Sequence, residues 1–181
     1  KNLCLAESIV WPFHPAINSS KNYLKLNDHK SVLVNAKFTV PDFEDHNFRN
    51  SPVYGGGAFN DLSAYAVSIG RVLFEELPLS IHGDLIAFDN LKGIDKKFSV
   101  SMEFSKNRKV EGIFGFGFDF KNSLQINGDN FSLLVDRVFS PPSDKEIDFK
   151  IVLNNKVTYK HLKADIYANF FNSIIQTYDT K

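Results

Sequence analysis

The sequence predicts an α+β fold in which an antiparallel sheet wraps around one long central helix. Three observations carry this. Phenylalanine is abundant, 18 of 181 residues, and falls mostly in short runs bounded by polar or Gly/Pro residues, a sheet signature. Between 58 and 77 the apolar residues Phe59, Leu62, Ala66, Ile69 and Leu73 recur every three or four positions, with Ala58, Tyr65 and Val72 forming a second stripe; a helix apolar on two sides is a buried one. Strand-like runs then follow one another, separated by polar turns such as Lys106-Asn107-Arg108 and Asn127-Gly128-Asp129, the pattern of an antiparallel meander.

Taken in order, the chain opens with a helical or irregular segment. Residues 31–40 alternate, with Val32, Val34, Ala36, Phe38 and Val40 on one face and Leu33, Asn35, Lys37 and Thr39 on the other, which is a half-buried strand. After the long helix come runs at 84–88, 97–104, 110–121, 131–138 and 147–153. A second helix is expected over 162–178, amphipathic, with Ile166, Phe170 and Ile174 four apart. The length suits a single domain spanning 1–181, with a core over about 30–140 and an added strand and helix at 147–178. Phe114, Phe116, Phe118 and Phe120 alternate, as core residues of a strand do.

Composition excludes several function classes. Lys plus Arg equals Asp plus Glu, 21 each, so no global field draws nucleic acid or an anionic membrane surface. No apolar run approaches the ~20 residues that span a bilayer. Cys4 stands alone and cannot form an internal disulfide. His14, His29, His82 and His161 have no ligand-like spacing, so no metal site is expected. The chain reads as a soluble, cytoplasmic protein needing no cofactor. Residue 1 is Lys where a start Met would stand, which fits a piece of something longer.

The segment with most chemistry lies at 42–61, between the first strand and the buried helix. Gly55-Gly56-Gly57 precedes the helix, where first-turn N–H groups can hold a carbonyl oxygen or an anion. Asp61 sits near the helix start, on a face shared with Tyr65 and Ser68, and His46 lies in the loop before it. Alone, these residues read equally as a solvated loop histidine, a first-turn acid favouring the helix dipole and a tight turn.

The run Asp45-His46, a polar loop, Val53-Tyr54-Gly55-Gly56, Ala58 and then an acid on the helix resembles the active-site region of hotdog-fold dehydratases. These are the β-hydroxyacyl-carrier-protein dehydratases and the dehydratase domains of polyketide synthases; His14-Pro15 is similar to the opening of the latter. The resemblance implies a hotdog fold and dehydration of a 3-hydroxyacyl thioester in polyketide or fatty-acid synthesis. It implies His46 as base, Asp61 as the acid or water-orienting carboxylate, Gly56 and Gly57 as oxyanion donors, and Val53 and Tyr54 beside the substrate. It further implies an acyl carrier protein bearing the phosphopantetheine-linked substrate, and a homodimer or a place in a larger synthase. The polyketide pattern has a glycine where Asn50 stands and a proline where Gly55 stands. These departures favour an alternative, a non-catalytic module that binds an acyl chain or holds an assembly together; within the enzyme class the nearest rival is a hotdog thioesterase, which uses a carboxylate and a helix N-terminus on the same scaffold.

Overall fold

Alternation along Val32–Val40 builds the strand at the middle of the molecule. The computed structural model describes residues 5–26 and 29–179; Cys4 lies outside the described residues. Strand β1 (Val32–Val40) buries Val32, Val34, Ala36 and Phe38 on one face. Its neighbours are β4 (Arg108–Phe116), parallel to it, and β5 (Lys121–Gly128), antiparallel. With β2 (Ser80–Asp89), β3 (Ile94–Phe104), β6 (Phe131–Asp136), β7 (Ile147–Leu153) and β8 (Lys156–Leu162) they form one eight-stranded mixed sheet in the order β2-β3-β4-β1-β5-β6-β7-β8. The expected all-antiparallel meander is therefore corrected: β1 is inserted between two strands that follow it by more than sixty residues.

One face of this sheet is covered. Helix α2 (Ala58–Phe74) lies on β3 and β4, with α1 (Pro15–Leu26) beside it. Ala58, Leu62, Ala66, Ile69 and Leu73 form its buried stripe, while Phe59 and Val67 are about half exposed. This corrects the hotdog expectation. A helix enclosed by a curled sheet would be covered by it on three sides; the sheet covers α2 on one, because it stays open. The opposite sheet face carries mostly polar side chains, among them Lys37, Ser99, Glu111 and Gln125, half-exposed or exposed.

Helix α3 (Ile166–Asp179) docks away from the sheet, against the 3-10 turn Trp11–Phe13. Ile166 and Phe170 bury with Val10, and Asn169 Nδ2 donates to the Phe13 carbonyl over 3.1 Å. No helix among the described residues is long and apolar enough to cross a membrane.

Candidate functional site

The segment between β1 and α2 is held rigidly by its own polar groups. Asn50 is buried, and its Nδ2 donates to the carbonyls of Phe43 (3.0 Å) and Glu44 (2.9 Å). Asn47 accepts from Arg49 N–H at 3.0 Å, the side-chain cap that such a residue supplies to a short helical turn. Two 3-10 turns, Phe48–Asn50 and Pro52–Tyr54, carry the chain to Gly55, which takes a left-handed φ of 72°.

The next two glycines are required by crowding. A Cβ on Gly56 would lie 2.5 Å from the Arg49 carbonyl oxygen, and one on Gly57 would lie 2.2 Å from Asp95 Oδ1. Their N–H groups already have acceptors: Gly56 N–H donates to Ser51 O over 2.8 Å and Gly57 N–H to Arg49 O over 3.0 Å. The start of α2 is capped from outside, with Phe59 N–H donating to Asp95 Oδ2 at 2.6 Å. The glycine run thus brings loop, helix and β3 together, and Gly56 and Gly57 offer no N–H to a substrate oxygen.

Asp61 faces Arg49 rather than His46. The Arg49 Nε–Asp61 Oδ2 distance is 3.0 Å, and both side chains are about a quarter exposed. Arg49 also lies over the rings of Phe43 and Phe48, at 4.9 and 4.6 Å from their centroids, which fixes the guanidinium plane. His46 points outward with its side chain 85% exposed, and its charged neighbour is Glu44 at 3.5 Å. Val53 and Tyr54 are exposed as well.

One turn beyond Asp61 stands Tyr65, half-buried, its ring edge-on to Phe38 and Phe139 at 5.3 and 6.0 Å. Burial pushes its phenol pKa up, with Tyr167, Asp61 and Glu7 adding to the shift and Arg49 opposing it. The phenol stays protonated through neutral pH and can donate a proton. Structure therefore brings Arg49, Asp61 and Tyr65 together and leaves His46 at the rim. Sequence placed Tyr65 on the face of Asp61 without giving it a role; the four-residue spacing was the available signal. Nothing local marks Asp95, whose contact with α2 spans thirty-six positions. No group of His, Cys, Asp and Glu among the described residues is arranged to hold a metal ion.

Comparison with known proteins supplies the family. Residues 30–134 match the GFO/IDH/MocA C-terminal domain. A dTDP-3,4-didehydro-2,6-dideoxy-alpha-D-glucose 3-reductase of Saccharopolyspora spinosa is 24% identical over 166 residues, 91% of this chain and 50% of that protein. Among solved structures, KijD10, a 3-ketoreductase of Actinomadura kijaniata in complex with NADP and TDP-benzene, superposes with a TM-score of 0.83 at 18% identity. That match covers 96% of this chain and 54% of KijD10. An aldose-aldose oxidoreductase of Caulobacter crescentus gives 0.75 at 13% identity, over 90% and 50%. The chain thus spans about half the length of these relatives. The matches overturn the hotdog dehydratase resemblance, and with it the hydro-lyase activity and the acyl carrier protein partner. What resembled that family was a short glycine-led helix start followed by an acid, which here serves the close packing of loop, helix and β3.

Proposed function

Because the chain belongs to the GFO/IDH/MocA C-terminal domain family, we propose that it forms the substrate side of an NAD(P)-dependent oxidoreductase that reduces a keto group on a nucleotide-linked sugar. The observation that carries this reading is the placement of the half-buried Tyr65 phenol one helical turn beyond Asp61, which Arg49 pairs. The relatives named as sugar 3-ketoreductases support the substrate class.

Reduction of a ketone needs a hydride at carbon and a proton at oxygen. Nicotinamide, when bound, supplies the hydride. The described residues do not themselves fit a dinucleotide: they include no parallel strand-helix-strand unit with a free glycine-led helix start, since the one glycine run has its N–H groups engaged. This chain contributes the proton. Tyr65 donates it to the developing alkoxide, a general-acid role worth ~10²–10⁴ in rate. Asp61, fixed by Arg49, accepts from a neighbouring sugar hydroxyl and orients the ring. The same reading places the protein in the cytoplasm.

The test is Tyr65→Phe in the full-length protein, assayed by loss of NAD(P)H absorbance with a dTDP-keto sugar. A fall in kcat of at least about a hundredfold with KM little changed is expected. Turnover equal to the parent's would overturn the assignment.

A further inference from the structure

Among the described residues no side chain hydrogen-bonds the Tyr65 hydroxyl, so its direction is set by whatever holds the ring. Two rings hold it. Phe38 meets it edge-on from β1 at 5.3 Å, and Phe139 meets it at 6.0 Å with the planes 86° apart. Those two are stacked on each other, 5.3 Å between centroids and 21° between planes, and form one wall. Edge-to-face contact is directional, because the positive edge of one ring seeks the negative face of the other.

Phe38 is fixed by its strand. Phe139 belongs to no strand or helix: it follows β6 after a left-handed turn at Arg137, φ 50°, and yet is fully buried. Asn122 of β5 accounts for this. Its carbonyl accepts from Arg137 N–H at 2.6 Å, its Oδ1 accepts from Phe139 N–H at 2.9 Å, and its Nδ2 donates to Ser140 Oγ at 2.8 Å. These bonds satisfy a polar residue that is only 5% exposed and fix the path of the loop. Asn122 is also the register partner of Phe38, so the β1–β5 pair carries both rings of the wall. Trp11 closes the group: it meets Phe139 edge-on at 5.7 Å, its Nε1–H donates to Ser68 Oγ at 3.1 Å, and Ser68 donates to the Tyr65 carbonyl at 2.9 Å. We propose that Asn122 is a positioning residue for the reaction: by anchoring Phe139 it holds the Tyr65 ring at the angle from which its hydroxyl reaches the substrate oxygen. The proposal rests on Tyr65 being the proton donor. Misplacing a reacting group by about 1 Å can cost on the order of a hundredfold in rate, which gives a remote anchor its leverage.

The experiment is steady-state kinetics of the full-length protein with NAD(P)H and a dTDP-keto sugar, paired with an absorbance titration of tyrosinate taken as a difference from Tyr65→Phe in each background. Asn122→Ala should lower kcat about tenfold with KM within about twofold. It should also bring the Tyr65 pKa down toward its ordinary value, as water reaches the loosened ring. Phe139→Leu should do the same, and the double change should fall no further than Phe139→Leu alone, because both act through one ring. Phe149→Leu separates positioning from stability. Phe149 is 1% exposed in β7 and takes no part in these ring contacts, so its change should lower the urea midpoint as Phe139→Leu does and leave kcat and the phenol as in the parent. An Asn122→Ala protein that keeps both the parent's kcat and its phenol pKa overturns the proposal. So does a Phe149→Leu that loses as much kcat, or a double change whose losses multiply. Failure of the catalytic reading shows instead in Tyr65→Phe, and the titration reports the hold of Asn122 on the ring whichever way that result falls.

Discussion

At Gly57 the backbone stands at φ 108°, a conformation that side chains avoid, and a Cβ there would collide with the Asp95 carboxylate. Gly57→Ala should therefore cost about 2–4 kcal/mol, from backbone strain and a displaced cap, read as a shift of the urea midpoint; a loss under about 0.5 kcal/mol would show that the loop relaxes freely. Tyr65 allows a second test at this scale. Asp61 contributes to the upward shift of the phenol, behind burial and Tyr167. Asp61→Asn should thus lower the Tyr65 pKa, visible in an absorbance titration of tyrosinate taken as a difference from Tyr65→Phe. A pKa that rises or stays put contradicts the geometry. His46, exposed at the rim, should tolerate Ala with turnover within about twofold, since solvated surface positions rarely matter.

At the scale of elements, His14 sits buried just before α1 and caps its first turn. Its side chain is fully buried, its Nδ1 accepts from Ala16 N–H at 3.2 Å, and its Nε2 has no partner among the described residues. Burial drives its pKa down from 6.5 to about 4. The unfolded chain then binds a proton at higher pH than the folded one, so His14 favours folding above pH ~6.5, and that contribution is lost progressively as pH falls toward 4. The loss should approach roughly 2–3 kcal/mol, with His14→Gln flattening the slope of unfolding free energy between pH 6.5 and 4. An unchanged slope would mean the ring charges without leaving its site. The elements themselves differed in how plainly the sequence showed them. The 3.6-residue stripe of α2 and the alternation of β1 are legible because each reports a single buried face. The run at 110–121 misled: Phe114 and Phe116 are core, yet Gly117 turns left-handed at φ 78° and ends the strand. Phe118 and Phe120 lie beyond it, more than a third exposed, beneath Lys97 and Arg137. Strand β8 gave no signal at all. It is exposed or half-exposed along its whole length, so no burial period was written into it.

Across the whole molecule, what the sequence hid was long-range pairing. Val32–Val40 carries a strand's alternation, but nothing in it says that β4 will lie alongside in parallel, seventy-six residues on. The site was hidden for the same reason: Asp95 reaches α2 from β3, and Arg49 meets Asp61 only once the loop has folded back. Local patterns exposed the glycines, Asp61 and the helix, and left their chemistry open to a resemblance that the topology refuses. This topology also sets where stability resides. Val34 sits in β1 with strands on both sides and is fully buried, whereas Val157 sits on the edge strand β8, half exposed. Both are β-branched residues in strands, so intrinsic propensity is the same and only position differs. Val34→Ala removes two buried methyl groups at the centre of the sheet and leaves a cavity, for a cost of about 1.5–3 kcal/mol. Val157→Ala removes a side chain already in water and should cost less than about 0.5 kcal/mol. Urea unfolding of the two variants measures the difference directly, and amide exchange should run parallel, slowest in β1, β4 and β5 and fast in β8. Equal losses at the two positions would mean that the sheet does not unfold from its edges around β1 as its core.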